Sequence, residues 1–295
     1  MTRPTPQHQP RRLWLRLGLV LLWLTVAIPL TAAERPQRVV SINLCADQLL
    51  LLLAEADQVA SVSHLAIEPL SSYVAEQAQA FPLNNARAEE LIALRPDLVL
   101  ATAHDNPRLL TTLETLGYRV ERLALGYKLE QIVDNIRRVA ALLQQSEKGE
   151  ALIRTMRTRL GVTGDGPRPG ALFYQPRGYT SGRETLQDEA LRLAGWRNLA
   201  AEQGIKGYAQ VDLERLLRWQ PQRIFTSTYD GSGDSLAERQ LAHPVLVRLL
   251  AGRPLEPIPY KYWICPGPML AEAVDALRRI RADLDQAPFT SDATQ

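Results

Sequence analysis

The chain has 295 residues, and its 34 lysines and arginines nearly balance its 32 aspartates and glutamates, for a formal net charge of +2. Four arginines and no acidic residue lie in the first 33 residues, so the other 262 residues carry 30 basic against 32 acidic side chains. A charge of −2 gives no basis for binding nucleic acid or an anionic membrane. The length is sufficient for two lobes with their own cores.

The first 33 residues have the pattern of a secretory signal peptide. The arginines come first, an apolar run from Leu17 to Ile28 follows, and Thr31-Ala32-Ala33 is typical of a cleavage site. The run is short for a membrane span, although an uncleaved anchor is the alternative. Arg11-Arg12 also fits a twin-arginine signal, which leaves both the Sec and the twin-arginine route open. The sequence therefore predicts a protein of the periplasm.

Strands alternate with amphipathic helices from residue 38 to residue 123. We predict strands at 38–42, 59–63, 98–101 and 119–123, and helices at 48–54, 89–94 and 107–116. This order is typical of a parallel sheet that is covered on both faces. Together these elements form a predicted N-terminal αβ lobe, residues 34–126.

A long amphipathic segment then interrupts the alternation. Apolar residues recur at helical spacing from Leu129 to Leu160, which favours one helix of roughly 30 residues and about 45 Å. Such a helix, residues 127–161, would join the two lobes as a rigid spine. Gly149 is a weak point in it, and two abutting helices are the alternative.

A linker rich in Gly and Pro at 161–170 precedes a second run of strands and helices. We predict strands at 171–175 and 223–227, and helices at 185–194, 212–219, 235–250 and 268–284. These elements form a predicted C-terminal αβ lobe, residues 162–295. The predicted fold class is therefore α/β, with two Rossmann-like lobes joined by the spine and a ligand cleft between them.

One short sequence motif occurs twice, 125 residues apart, at 89–102 and at 214–227. Each copy reads as a short helix, a proline that ends the helix, and a buried strand. A glutamate, Glu89 or Glu214, stands seven residues before the proline of each copy. A matched acidic residue on each of two related lobes indicates a partner with two-fold symmetry.

Several pieces of the sequence, taken in their order and spacing, resemble one known family. They are Val39 to Leu53, Leu94-Arg95-Pro96-Asp97-Leu98-Val99, the long helix, Tyr179-Thr180-Ser181-Gly182-Arg183-Glu184-Thr185-Leu186 and Trp263-Ile264-Cys265-Pro266-Gly267-Pro268. In these pieces the chain is similar to the ABC-transporter substrate-binding proteins that receive vitamin B12, haem and ferric siderophores. The resemblance covers nearly all of residues 38–285. Asp47-Gln48 and Ala54-Glu55 depart from the Thr-Glu and Leu-Gly that the family usually has.

The resemblance implies a monomeric periplasmic receptor that delivers a metal chelate or corrinoid to the permease dimer of an ABC importer. Glu89 and Glu214 match the positions where the family places its transporter-docking glutamates. A carboxylate on each lobe suits arginines on a two-fold permease. The alternative is that each glutamate only stabilises the N-terminus of its own helix.

The ligand pocket is expected at the loops between the lobes, because ligands bind at the carboxyl ends of parallel strands. Aromatic rings can lie against a flat macrocycle, and arginine can pair with its carboxylates. Tyr179, Tyr208 and Trp263 also match aromatic pocket positions of the cobalamin receptor, although any one aromatic residue could instead belong to the core. The predicted ligand-binding residues are Cys45, His64, Arg87, Tyr174, Tyr179, Tyr208 and Trp263.

Cys45 and Cys265 are the only two cysteines, and an even number in an oxidising compartment usually means a disulfide. Both lie in loops expected at the cleft, so two free thiols that contact a metal centre or gate the ligand, or two unrelated positions, are the alternatives. His64 and His104 are thin support for a bare metal-ion receptor, which needs three or four converging ligands. A chelatase-like enzyme is a further alternative, although no catalytic motif and no resident cofactor is predicted.

Overall fold

The computed structural model describes residues 34–124, 126–164, 166–227, 244, 248 and 255–286. The predicted signal peptide, residues 1–33, lies outside these residues and stays a prediction, and so does nearly all of the helix predicted at 235–250. Among the described helices, none combines the length and apolarity that crossing a bilayer requires.

A parallel five-stranded sheet organises residues 39–123, which we call the first lobe. The strand order is β3-β2-β1-β4-β5. The strands are β1 (Val39–Ser41), β2 (Val59–Ser63), β3 (Leu83–Asn84), β4 (Leu98–Thr102) and β5 (Val120–Leu123). The helices are α1 (Leu44–Leu53), α2 (Ala75–Ala78), α3 (Ala88–Ala93) and α4 (Pro107–Thr115), with 3₁₀ turns at Ala56–Gln58 and His64–Ile67. The predicted alternation is confirmed, and β3 and α2 are additions too short to leave a periodic pattern.

The segment after β5 contains two helices and not the single spine that the apolar spacing favours. They are α5 (Leu129–Leu142) and α6 (Ser146–Leu160), and between them Gln144 adopts φ 57°. Arg137 Nε lies 2.6 Å from Glu150 Oε1, and Arg157 Nη2 lies 2.8 Å from Glu130 Oε2. These pairs show that the helices run side by side in opposite directions. The favoured continuous helix is therefore wrong, and the alternative of two helices is confirmed, with the two arranged as a hairpin.

Gly149 has a packing role in this hairpin. A Cβ atom on Gly149 would lie only 2.5 Å from Cβ of Ala140 on the neighbouring helix. The missing side chain thus lets α5 and α6 approach closely, so Gly149 is a contact point and not the weak point predicted in one long helix.

A second parallel sheet, of order β11-β10-β6-β8, organises the described residues from 170 to 286, which we call the second lobe. Its strands are β6 (Gly170–Phe173), β8 (Arg197–Asn198), β10 (Arg223–Thr226) and β11 (Glu256–Pro257), and β7 (Tyr179–Ser181) pairs antiparallel with β9 (Tyr208–Gln210). The helices are α7 (Leu186–Leu193), α8 (Leu199–Glu202), α9 (Leu213–Trp219) and a C-terminal α10 (Leu270–Gln286), with 3₁₀ turns at Pro176–Gly178 and Tyr260–Tyr262. Both sheets lie within the predicted lobes 34–126 and 162–295, and the α/β class is confirmed.

One hydrophobic core is shared by the two lobes. It contains buried residues from α1, the hairpin, β6 and α10, among them Leu50, Ile136, Met156, Phe173 and Leu277. Smaller clusters cover the opposite face of each sheet, around Leu91 and Leu110 in the first lobe and Leu199 and Leu216 in the second. Burial of this apolar surface is the main favourable term that holds the lobes together.

The sequence repeat has the same backbone form in both copies. The residue before each proline, Arg95 or Gln220, has a left-handed φ, 46° and 48° respectively. Each short helix buries one leucine at the same position of the repeat, Leu91 in α3 and Leu216 in α9. A left-handed residue followed by proline ends a helix sharply, so both copies turn directly from helix to strand.

The residue after each proline binds the backbone at the start of the neighbouring strand in its sheet. The Asp97 carboxylate accepts the backbone N–H of Arg38, just before β1, at 3.0 Å. At the equivalent position Gln222 Oε1 accepts the N–H of Gly170, the first residue of β6, at 2.8 Å. The repeat is thus a structural duplication that extends to individual hydrogen bonds.

Candidate functional site

The strand order of the first sheet reverses between β1 and β4, and open α/β sheets bind ligands at such a point. Asn43 follows β1 and caps α1 by accepting the Ala46 N–H at 3.0 Å. Its amide donates to the carboxylate of Asp105, which follows β4. Asp105 also accepts the Thr102 N–H at 2.6 Å. A polar pair therefore bridges the switch point of the first lobe.

The second lobe has a comparable pair at the ends of β6 and β10. Gln175 Nε2 donates to Ser227 Oγ, and the Ser227 N–H donates to Gln175 Oε1, both at 3.1 Å. Both residues are buried. Their reciprocal hydrogen bonds satisfy polar atoms that burial removes from water.

The two cysteines form a disulfide that joins the lobes. Cys45 lies in the first turn of α1, and Cys265 lies between the 3₁₀ turn Tyr260–Tyr262 and α10. Their Cα atoms are 5.1 Å apart across a sequence separation of 220 residues. The disulfide alternative is confirmed. The prediction of Cys45 as a ligand-binding thiol is corrected, because its sulfur is bonded to Cys265.

Two of the predicted ligand-binding aromatics lie in the core. Trp263 is buried and packs edge-to-face on Phe173, with ring centroids 4.4 Å apart. Tyr174 is buried in the cluster on the opposite face of the second sheet. A buried ring presents no surface to a ligand, so both residues belong to the core, as the alternative to a ligand contact had it.

Tyr179 and Tyr208 lie on the antiparallel pair β7 and β9, and their side chains are 41% and 59% exposed. The Tyr208 hydroxyl donates to Gln187 Oε1 at 3.3 Å. Partial burial raises the pKa of Tyr208, the hydrogen bond with Gln187 acts in the opposite direction, and Tyr127 adds a smaller increase. Burial also raises the pKa of Tyr260, and Tyr208 adds to the effect. Tyr208 therefore interacts electrostatically with Tyr127 and with Tyr260.

Tyr127 and Tyr260 are not among the ligand-binding residues predicted from the sequence. Tyr127 lies four residues beyond the end of β5, and Tyr260 lies three residues beyond the end of β11. Both positions are at the carboxyl ends of strands, which is the signal that would have found them. Tyr127 was instead grouped with the spine, and β11 is too short to predict from its composition.

The first lobe contributes polar side chains at the same kind of position. His64 follows β2, Arg87 precedes α3, and His104 follows β4, and all three side chains are exposed. Within the described parts of the chain, no three His, Cys, Asp or Glu side chains are grouped closely enough to hold a metal ion.

Glu89 and Glu214 occupy equivalent positions on the surface. Each lies in the first turn of its helix, α3 or α9, and each is exposed. In an α/β fold a helix that leads into a strand runs antiparallel to it, so both helices begin at the carboxyl edge of their sheet. The two carboxylates thus lie at the same edge as the exposed polar and aromatic residues of their own lobe.

Residues 39–253 match the family described as "Periplasmic binding protein". The chain is 30% identical over 243 residues to the vitamin B12-binding protein of Pectobacterium carotovorum subsp. carotovorum strain PC1, which covers 77% of this chain and 85% of the relative. A periplasmic heme binding protein from Pseudomonas aeruginosa superposes with a TM-score of 0.67 at 26% identity, over 83% of this chain and 92% of that protein. The periplasmic vitamin B12 binding protein of Vibrio cholerae has the same fold, with a TM-score of 0.64 at 21% identity over 86% and 99% of the two chains.

Proposed function

This chain belongs to the periplasmic binding protein family, and from that premise we propose that it is the substrate-binding receptor of an ABC importer. Its ligand is a corrinoid or a metal chelate, the class that includes cobalamin, ferric siderophores and haem. The observation that carries the proposal is the 30% identity, over 243 residues, to a vitamin B12-binding protein. The family consists of binding proteins, and no catalytic step is proposed for this chain.

The exposed tyrosines of the second lobe are the proposed ligand contacts. Tyr179 and Tyr208 present aromatic surface from one antiparallel strand pair. Tyr127 and Tyr260 are partly buried, interact electrostatically with Tyr208 and are included in the proposed site. Rings of this kind lie flat against a macrocycle, while hydroxyls bind its polar edge.

The first lobe supplies the basic side chains of the proposed site. Arg87 and His64 are exposed at the carboxyl edge of the sheet. A guanidinium pairs well with the carboxylates or anionic oxygens of a chelate, because it donates two parallel hydrogen bonds. We propose that the ligand lies between these groups and the tyrosines of the second lobe.

Glu89 and Glu214 are the proposed contacts with the permease. Each is exposed on an equivalent helix, and a two-fold permease can offer a basic residue to each. The receptor acts in the periplasm after export, and residues 1–33 carry the proposed export signal.

The test is a titration of the purified mature protein with cyanocobalamin, hemin and ferrichrome. Tryptophan fluorescence and absorbance are measured at each step of the titration. We expect saturable binding of at least one of the three probes. Tyr208→Ala should weaken binding at least about tenfold, whereas Tyr208→Phe, which keeps the ring, should lose much less. Binding of none of the probes, or an unchanged affinity in the Tyr179→Ala/Tyr208→Ala variant, would contradict the proposed ligand site.

A further inference from the structure

An exposed aliphatic residue accompanies each of the two glutamates. Ile92 in α3 is 37% exposed, and Leu217 in α9 is 41% exposed. Each follows its glutamate by three residues, and the two aliphatic residues are 125 positions apart, as the glutamates are. Residues at i and i+3 lie on the same face of a helix, so each glutamate and its aliphatic neighbour share one surface.

A single exposed leucine or isoleucine on a protein surface is ordinary and needs no explanation. Ile92 and Leu217 differ from such isolated residues because they occupy equivalent positions of the sequence repeat. The residues between glutamate and aliphatic side chain vary in charge, with Glu90 in one copy and Arg215 in the other. The core already receives a leucine from the preceding position of each helix, so Ile92 and Leu217 are not needed there.

We propose that each lobe docks through a two-residue patch, Glu89 with Ile92 on the first lobe and Glu214 with Leu217 on the second. The inference rests on the proposed function and adds to it the apolar half of each contact. The partner it fits is a two-fold permease whose halves each present a basic side chain beside an apolar surface. The equivalence of the two patches favours a partner with two-fold symmetry over a second copy of the chain, and each exposed carboxylate suits a basic side chain on that partner.

The two members of a patch have different tasks. Exposed carboxylates act at long range, so they raise the rate at which the receptor meets a basic surface. Aliphatic side chains act only in contact and become dehydrated there, so they slow dissociation. The patches therefore predict that charge and apolar substitutions change different rate constants.

The experiment measures binding of the full mature receptor to the ABC permease–ATPase complex of the same organism, reconstituted in nanodiscs. Ile92→Ser/Leu217→Ser should bind about 100-fold more weakly, about tenfold for each residue, mainly through faster dissociation. Glu89→Gln/Glu214→Gln should instead associate more slowly and lose most of its dependence on salt. Leu116→Ser is the matched control, because Leu116 is 55% exposed at the end of α4, away from the carboxyl edge of the first sheet. Its permease affinity should equal that of the wild type.

The outcomes separate this inference from the docking role of the glutamates. If the glutamate variant binds the permease as the wild type does, the proposed docking site itself is wrong. If the glutamate variant fails while Ile92→Ser/Leu217→Ser behaves as Leu116→Ser does, only the apolar half is overturned. Affinity for cyanocobalamin or hemin, measured in parallel, should stay unchanged in every variant.

A second measurement covers the case in which the serine variants lose stability. Single cysteines at 92, 217 and 116 are labelled with a bulky maleimide on the folded, disulfide-intact protein. Labels at Ile92→Cys and Leu217→Cys should block docking, and a label at Leu116→Cys should not. Equal docking by all three labelled proteins would overturn the inference.

Discussion

At the scale of single residues, the first lobe buries the carboxyl group of Asp47 against the ends of β1 and β2. Asp47 lies in the first turn of α1 and accepts hydrogen bonds from Ser41 Oγ at 2.5 Å, from the Ser63 N–H at 2.9 Å and from the Ser63 hydroxyl. Burial raises the pKa of Asp47 from 3.8 to about 6, although the serine hydrogen bonds act in the opposite direction, and Asp105 raises it further. Between these two values the folded protein binds more protons than the unfolded chain.

The contribution of Asp47 to stability is therefore greatest in acid and is lost as the pH rises through about 6. Asp47→Asn removes this titration and keeps an acceptor and a donor for the serines. Relative to the wild type, the unfolding free energy of the variant should rise by up to about 3 kcal/mol between about pH 4 and about pH 7. Urea unfolding across this range measures the difference. A difference that is constant with pH would contradict the prediction.

At the scale of elements, Glu189 of α7 holds the start of the helical hairpin. Its carboxylate accepts the backbone N–H of Leu129, the first residue of α5, at 3.0 Å, and lies 3.2 Å from Lys128 Nζ and 2.8 Å from Arg192 Nη2. Burial alone would raise the pKa of Glu189. The hydrogen bonds from Arg192 and Leu129 and the charges of Arg192 and Lys128 hold it below its usual range. A residue of the second lobe thus accepts the N–H of Leu129, one of the N–H groups at the start of α5 that have no partner within the helix.

Glu189→Gln tests this contact, because it removes the charge while leaving an oxygen that can accept the Leu129 N–H. We expect the free energy of unfolding to fall by about 2 kcal/mol, since Glu189 is buried and its partners lose a charged acceptor. Glu150→Gln is the matched control, because the Glu150–Arg137 pair lies on the exposed face of the same hairpin. Its effect on chemical denaturation should be small. Equal losses in the two variants would show that Glu189 has no special role.

At the scale of the whole molecule, the lobes are connected in more ways than through the hairpin. The Cys45–Cys265 bond joins α1 to the segment that leads into α10. The Tyr73 hydroxyl of the first lobe donates to Glu272 of α10 at 3.0 Å, and Glu272 also accepts from Arg159 of α6 at 2.8 Å. With the shared hydrophobic core, these contacts oppose a wide separation of the lobes.

Cys45→Ser/Cys265→Ser should lower the free energy of unfolding by up to about 5 kcal/mol, because the bond spans 220 residues and restricts the unfolded chain. Guanidinium unfolding with and without a reducing agent measures the loss. Reduction should destabilise the wild type by a similar amount and leave the double-serine variant unchanged, which makes that variant its own control. A wild type that is indifferent to reduction would contradict a stabilising role for the bond.

The sequence predicted the strands and helices of the first lobe well and the hairpin wrongly. Alternating apolar residues report on contacts between near neighbours in the chain, and those contacts form each strand and helix. In the hairpin, both helices turn their apolar residues to one core, so the spacing continues across the break. The left-handed Gln144 that separates them is neither glycine nor proline and leaves no recognisable signal.

The candidate site was predicted in part. Tyr179 and Tyr208 are exposed as a ligand contact requires, whereas Tyr174 and Trp263 are buried. An aromatic ring suits a core and a binding surface equally well, so its residue type does not distinguish them. Only the packing of Phe173 against Trp263 decides that this ring belongs to the core.

The sequence by itself determined the α/β alternation, the duplicated helix–proline–strand motif and the matched glutamates, because each depends on residues close together in the chain. Only the tertiary structure decided that Cys45 meets Cys265, that Glu189 holds the start of α5 and which tyrosines stay exposed. These facts depend on residues far apart in sequence, whose approach is set by the packing of both lobes on one core. Local propensity cannot encode such an approach, since it exists only when the whole chain has folded.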